Sequence, residues 1–217
     1  MTKKTLSRYV LTDQLYLLIK NQILTHAMPA GDKINIDKLA RDLGVSNIPI
    51  RESLFRLASE GLVTIVPFKG MFVAEMNLRD IDEIFEIRQS LEELSVRKAA
   101  SRIPKEILLQ ISQELSAGKS ADNEVGKEGA VSRMNEDLHG TILKYAKNEN
   151  LRLTVVSLIE RIYRYLSLHQ FRIDLSAEKS EHEKIVQALL EEDTEKAVQA
   201  MRSHLNNSHQ RLRDNFE

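Results

Sequence analysis

Cysteine is absent from the 217 residues. That excludes disulfides, cysteine zinc knuckles and thiol catalysis. No run approaches the roughly 18 apolar residues that span a bilayer. The opening stretch, MTKKTLSRYV, holds no apolar signal core. A soluble cytoplasmic protein with no membrane partner is the expectation. Only 4 prolines and 8 glycines interrupt the chain, and strand-like runs are few, so a mainly α fold is expected. There is no internal repeat and no low-complexity segment.

What is present is a 42% hydrophobic content, enough for a sizeable core. The length suits one large or two small domains. Net charge is −1, but unevenly placed. Residues 1–75 hold 10 Lys and Arg against 7 Asp and Glu, whereas residues 76–217 hold 21 against 25. A polyanionic partner would therefore meet the N-terminal part.

That part carries the densest pattern. Ile36, Leu39, Ala40 and Leu43 repeat at helical spacing, and Gly44 supplies a left-handed stop. Ser46 is placed as the N-cap of a second helix, with Pro49 in its first turn. Ile50, Leu54, Leu57 and Ala58 form its buried stripe, and Gly61 ends it. Two short helices around a glycine turn read as a helix-turn-helix or as a plain helical hairpin. An earlier helix over residues 9–27 places Leu11, Leu15, Leu18, Ile19 and Ile23 on one face. After the pair, LVTIV and MFVA flank Pro67-Phe68-Lys69-Gly70 and predict a β-hairpin. Three helices and a hairpin make a winged helix-turn-helix. The second helix of the pair would then enter the major groove of double-stranded DNA. That places Ser46, Asn47, Ile48 and Arg51 nearest the bases, and Lys69 and Gly70 at the wing tip. Arg51 would read a guanine edge or a phosphate, and Asn47 an adenine. Alternatively, Arg51 pairs with Glu52 or Asp42 on a solvated surface.

Beyond the junction, with Asn77 as N-cap, six helical segments are expected: 79–102, 104–118, 125–148, 150–172, 178–192 and 194–215. The stretch 118–129 is expected to be the least ordered. The domain reading is 1–75 for the winged helix-turn-helix and 76–217 for an all-α six-helix antiparallel bundle. Asn135 and His139 share one helix face beside Leu138, Ile142 and Ala146. His182 lies on a stripe with Ile185 and Leu189. His204 flanks a stripe with Ala197 and Met201. Arg88 sits among Ile81, Phe85, Leu91 and Ser95. His169 follows the stripe of Leu151, Val155, Leu158 and Ile162, a weaker candidate for the same interior. His26 and His209 lack such company and are expected at the surface. Buried polar groups need partners, which local hydrogen bonds or a metal ion with an anionic ligand would provide. Imidazole suits Zn, Ni, Mn or Fe. Periodicity leaves both readings open.

Together these residues resemble the GntR family of transcriptional regulators, in its FadR subfamily with an FCD-type ligand domain. The likeness runs through PAGDKINIDKLARDLGVSNIPIRESLFRLASEGLV and the wing VPFKGMFV. It continues in DIDEIFEIRQSLEELSVRKAA, NEDLHGTILKYAKNENL and EHEKIVQALLEEDTEKAVQAMRSHL. Six bundle helices look like the VanR-type branch. The resemblance implies a homodimer on a palindromic operator, acting as repressor or activator. It also implies a small organic acid effector at a divalent metal (Zn, Ni or Mn) held by Asn135, His139, His182 and His204. Arg88 and His169 would line the effector site. Two departures stand out: Asn47 replaces the Arg that usually follows the turn serine, and Asn135 replaces the commoner Asp. Two alternatives to this reading remain: a metal-free, anion-binding bundle and a small helical metalloenzyme.

Overall fold

The computed structural model describes residues 2–75, 77–116, 138–168 and 175–215. They fall into two compact units, Met1–Met76 with Tyr163–Leu168, and Asn77–Ile162 with His169–Glu217.

In the first unit, α1 (Thr2–Leu24) packs on α3 (Asn47–Ser59), and α2 (Ile36–Leu43) lies against α3. Asn35 caps α2 by accepting from the Lys38 amide, and Gly44 ends it at φ 65°. Pro49 sits in the first turn of α3, where its missing N–H costs nothing. Leu15, Ile19, Ile23, Ile50, Leu54 and Leu57 form the core. Leu18, expected in it, is exposed, and Tyr16 is buried instead. The phenol of Tyr16 makes that burial possible by bonding to Glu60 (2.8 Å) and accepting from Lys20 (2.7 Å). His26, expected at the surface, is half-buried and donates from Nε2 to the Arg164 carbonyl (2.8 Å).

Strands β1 (Val63–Val66) and β2 (Gly70–Val73) pair antiparallel, Val63 opposite Val73 and Val66 opposite Gly70. Alternation puts Val63, Met71 and Val73 into the core. Lys33 bridges to Phe72, and the Ile34 amide donates to the Met71 carbonyl (2.8 Å). The hairpin is thereby fastened to the segment that leads into α2.

Among its described residues, the second unit holds α4 (Leu78–Ala99), α5 (Lys105–Ser116), α6 (Gly140–Tyr145), most of α7 (Glu149–Leu168), α8 (Leu175–Leu190) and α9 (Thr194–Asp214). Asn77 and Asp193 cap α4 and α9 by accepting from the Asp80 and Lys196 amides. α9 packs on α8 and α4, α5 on α8, and α6 on α4. Ile81, Ile84, Val96, Leu108, Ile142, Val155, Ile185 and Met201 are all buried. Much of the expected 125–148 helix, the 118–129 stretch, Asn135 and His169 lie outside the described residues. His209, expected at the surface, is half-buried. It stacks on Phe85 (4.8 Å between centroids) and bonds to Asp82 (2.7 Å), which Arg213 also holds. Among the described residues, no helix is long and apolar enough to cross a membrane.

Candidate metal centre and nucleic-acid interface

Three histidines from three separate segments meet inside the second unit. His139 precedes α6, His182 is on α8 and His204 is on α9, all essentially without solvent exposure. Their ring centroids are 4.5 to 5.2 Å apart. Each helix brings its histidine inward by the apolar stripe that carries it: Ile142 and Ala146 after His139, Ile185 and Leu189 after His182, Ala197 and Met201 before His204.

The outward nitrogens of two rings are taken. His139 Nδ1 bonds to Glu92, and His204 Nδ1 bonds to Glu181 Oε2 at 2.9 Å. A carboxylate behind an imidazole fixes its tautomer and aims the other nitrogen forward. Forward here means toward the other rings. Among the described residues, His139 Nε2 is buried with no hydrogen-bond partner, and His182 Nε2 is 3.3 Å from His204 Nε2. Metal–nitrogen bonds of about 2.0–2.1 Å in a tetrahedral shell set ligand nitrogens roughly 3.3 Å apart. One ligand atom from each histidine lies within 4.8 Å of the other two. The orphaned Nε2 and this spacing fit a divalent ion.

The supporting shell is charged and paired. Arg88, on α4, contacts Glu92 through Nε and Nη2, both at 2.8 Å. Burial works to raise the Glu92 carboxyl, but Arg88 and His139 prevail and hold it down at about 2. Glu181 receives Arg211 and Asn207, each at 2.8 Å. Burial again opposes ionisation, and Arg211, His204 and Asn207 bring Glu181 down to about 2. Burial lowers His139 and takes His182 well below the usual histidine range. Both rings are then neutral at neutral pH, the form that ligates. Glu178, Glu181 and His204 form a second close group. Arg211 already places a cation there, bonded to Glu178 at 2.6 Å and to Glu181.

Of the residues expected at this centre, the structure brings together His139, His182, His204 and, one step behind, Arg88. Glu92 and Glu181 were not anticipated. Glu92 was legible in principle, since it lies four residues after Arg88 on the same buried stripe. Glu181, next to His182 and off its stripe, left no such signal.

In the first unit, α3 and the hairpin frame an open groove of about 780 Å³. Lys33, Arg51 and Lys69 line it, with the exposed apolar side chains of Phe55, Ile65 and Phe68. Arg51 is exposed and makes no ion pair with Asp42 or Glu52 among the described residues. Ser46 occupies the N-cap position of α3, but its hydroxyl makes no capping bond. Asn47 donates from Nδ2 to Asp37 (2.6 Å), and Ile48 is exposed. Gly70 is at φ 119°, and an added Cβ there would meet Lys33 Cε at 3.3 Å.

Comparison with known proteins agrees with both units. Residues 83–207 match the FCD domain, and residues 11–73 match the bacterial regulatory proteins of the gntR family. The chain is 25% identical over 206 residues to the HTH-type transcriptional regulator YdhC of Bacillus subtilis (strain 168), covering 94% of this chain and 92% of that one. It is 32% identical over 137 residues to the Nta operon transcriptional regulator of Aminobacter aminovorans, covering 61% and 62%. Among solved structures, E. coli McbR/YncC superposes with a TM-score of 0.72 at 22% identity, covering 95% of this chain and 99% of that one.

Proposed function

The chain belongs to the GntR family of transcriptional regulators with an FCD domain, and from that premise we propose that a small carboxylate, bound at a metal in the second unit, controls its hold on operator DNA. A regulator of this family is not an enzyme, which removes the metalloenzyme alternative.

The observation that carries the proposal is the buried His139, His182 and His204 triangle, with the Nε2 of His139 left without a partner among the described residues. These residues would hold a divalent ion (Zn, Ni or Mn), with Asn135 as the fourth protein donor. A bound ion supplies open coordination positions and a fixed positive charge for an effector carboxylate. Glu92 and Glu181 hold two of the three rings in the ligating tautomer. Arg88 acts mainly through Glu92, so it would reach an effector only if that pair opened. Occupancy of Arg88 by Glu92 also weighs against a metal-free anion pocket built on the same arginine. His169 stays a candidate effector contact on its apolar stripe.

We assign residues 1–75 to operator reading and residues 76–217 to effector binding and dimerisation, in a cytoplasmic homodimer on a palindrome. Ser46, Asn47, Ile48 and Arg51 face the major groove, and Lys69 and Gly70 the backbone beside it. Ile87 and Leu94, exposed and seven residues apart on one face of α4, are suited to a subunit interface. Effector binding shifts the DNA-binding equilibrium to the extent that it prefers one arrangement of the dimer.

Two measurements test the reading. Elemental analysis of the purified protein should find about one divalent transition metal per chain. Anisotropy titrations against DNA from the region upstream of its gene should show specific binding that weakens with salt. Absence of metal, with no metal uptake after chelation and reloading, sinks the metal site. Absence of salt-sensitive specific binding sinks the operator reading.

A further inference from the structure

The tip of the hairpin is built in a way that folding alone does not favour. The Lys69 amide donates to the Val66 carbonyl (3.1 Å), closing a four-residue turn with Pro67 second and Phe68 third. Phe68 is at φ 62°. A turn of this type needs positive φ at its third position, which glycine or asparagine adopts without cost and a large aromatic does not. The ring gains nothing in exchange, because Phe68 is 110% exposed, more open than in a reference peptide. Lys69 follows it directly, and its groove neighbours include Lys33 and Arg51 and the exposed Phe55 and Ile65. Backbone strain without a packing return is a sign of work done in a complex.

We propose that Phe68 is an apolar wedge that the wing drives into the minor groove of DNA, reading its width and its ease of deformation. This rests on the operator-binding reading and deepens it. Apolar side chains at such tips pack between or against base steps. Flanking lysines hold the adjacent phosphates, which matches the excess of basic residues in 1–75. The positive φ throws the ring outward from the hairpin, which a glycine or asparagine at the same position could not exploit. Specificity from this residue is indirect: it favours sequences whose steps open easily, without hydrogen bonds to base edges.

The test uses the full chain and a duplex that the wild-type protein recovers from a random-sequence pool. Phe68→Gly suits the turn, so its melting temperature should equal or exceed that of wild type. Its affinity for the recovered duplex should fall roughly 5- to 150-fold, the range of one aromatic–base stacking contact. The salt dependence should stay the same, because no phosphate contact is lost. Phe68→Trp should restore most of the affinity. Prior occupation of the duplex by netropsin, a minor-groove ligand, should erase the difference between wild type and Phe68→Gly. Equal affinity of wild type and Phe68→Gly overturns the wedge and leaves the operator reading intact. Failure of the wild-type protein to recover any duplex overturns both.

Discussion

His139 Nδ1 bonds to Glu92, and that contact decides which face of the imidazole the interior receives. With Nδ1 committed, Nε2 is the nitrogen turned toward His182 and His204, and it is the one buried without a partner among the described residues. Glu92 is in turn held by Arg88 four residues earlier on α4. One helix of the bundle thus orients an imidazole carried by another segment.

Glu92→Gln should lower metal affinity by roughly 10- to 100-fold, the usual effect of removing a carboxylate behind a ligating histidine. Competition against a chromogenic chelator would measure it. The amide keeps the volume, so circular dichroism should be unchanged. An affinity equal to wild type would mean that Glu92 has no part in orienting the ring. Arg88 loses its anionic partner in this variant, so some loss of melting temperature is expected alongside.

Removing the metal should destabilise the second unit. An ion present at about 100 times its dissociation constant contributes roughly 2.7 kcal/mol. Calorimetry before and after chelation should therefore show a lower melting temperature in the chelated sample, recovered on adding the metal. His182→Ala should abolish the difference. A chelation effect that persists in His182→Ala would place the ion elsewhere.

Arg51→Ala should weaken specific DNA binding by roughly 1–3 kcal/mol if the guanidinium reads a base edge. Binding to unrelated duplexes would then change little. A uniform loss across sequences, with the salt slope reduced by about one, would make Arg51 a phosphate contact instead. The same titration on Asn47→Ala addresses the amide held by Asp37.

Leu54, wholly buried on α3, is a stability position. Leu54→Ala should cost about 2–5 kcal/mol, by lost burial and by the cavity left behind. Denaturant unfolding of the full chain would record it, and any loss of DNA binding should track the fraction unfolded. A cost under about 1 kcal/mol would mean that the helices repack around the site.

Much of the first unit is legible in the sequence alone. Gly44 is at positive φ where a helix stop was expected, and the stripe of Ile50, Leu54 and Leu57 is buried as its spacing required. The errors came from side chains that a period cannot weigh. Leu18 lies at the edge of the α1 stripe and points to solvent. Tyr16 lies nearer its centre and is buried because Lys20 and Glu60 satisfy its hydroxyl. His26 and His209 went astray for a similar reason: each finds a polar partner from a segment far away in sequence.

The sequence by itself determined the helix-turn-helix, the wing and the three inward histidines. Those follow from local rules, since a 3.6-residue period, a cap and a glycine stop act within a few residues of one another. Only the tertiary structure decided that the three imidazoles meet, that Glu92 and Glu181 set the tautomers of two of them, and that Arg88 is already paired. Residues 88 to 92 and 139 come together across α4 and the segment before α6, and residues 181 and 204 across α8 and α9. No period along one helix specifies the angle and height at which another helix crosses it. That choice belongs to the packing of whole faces, and at this site it turned three separate stripes into one centre.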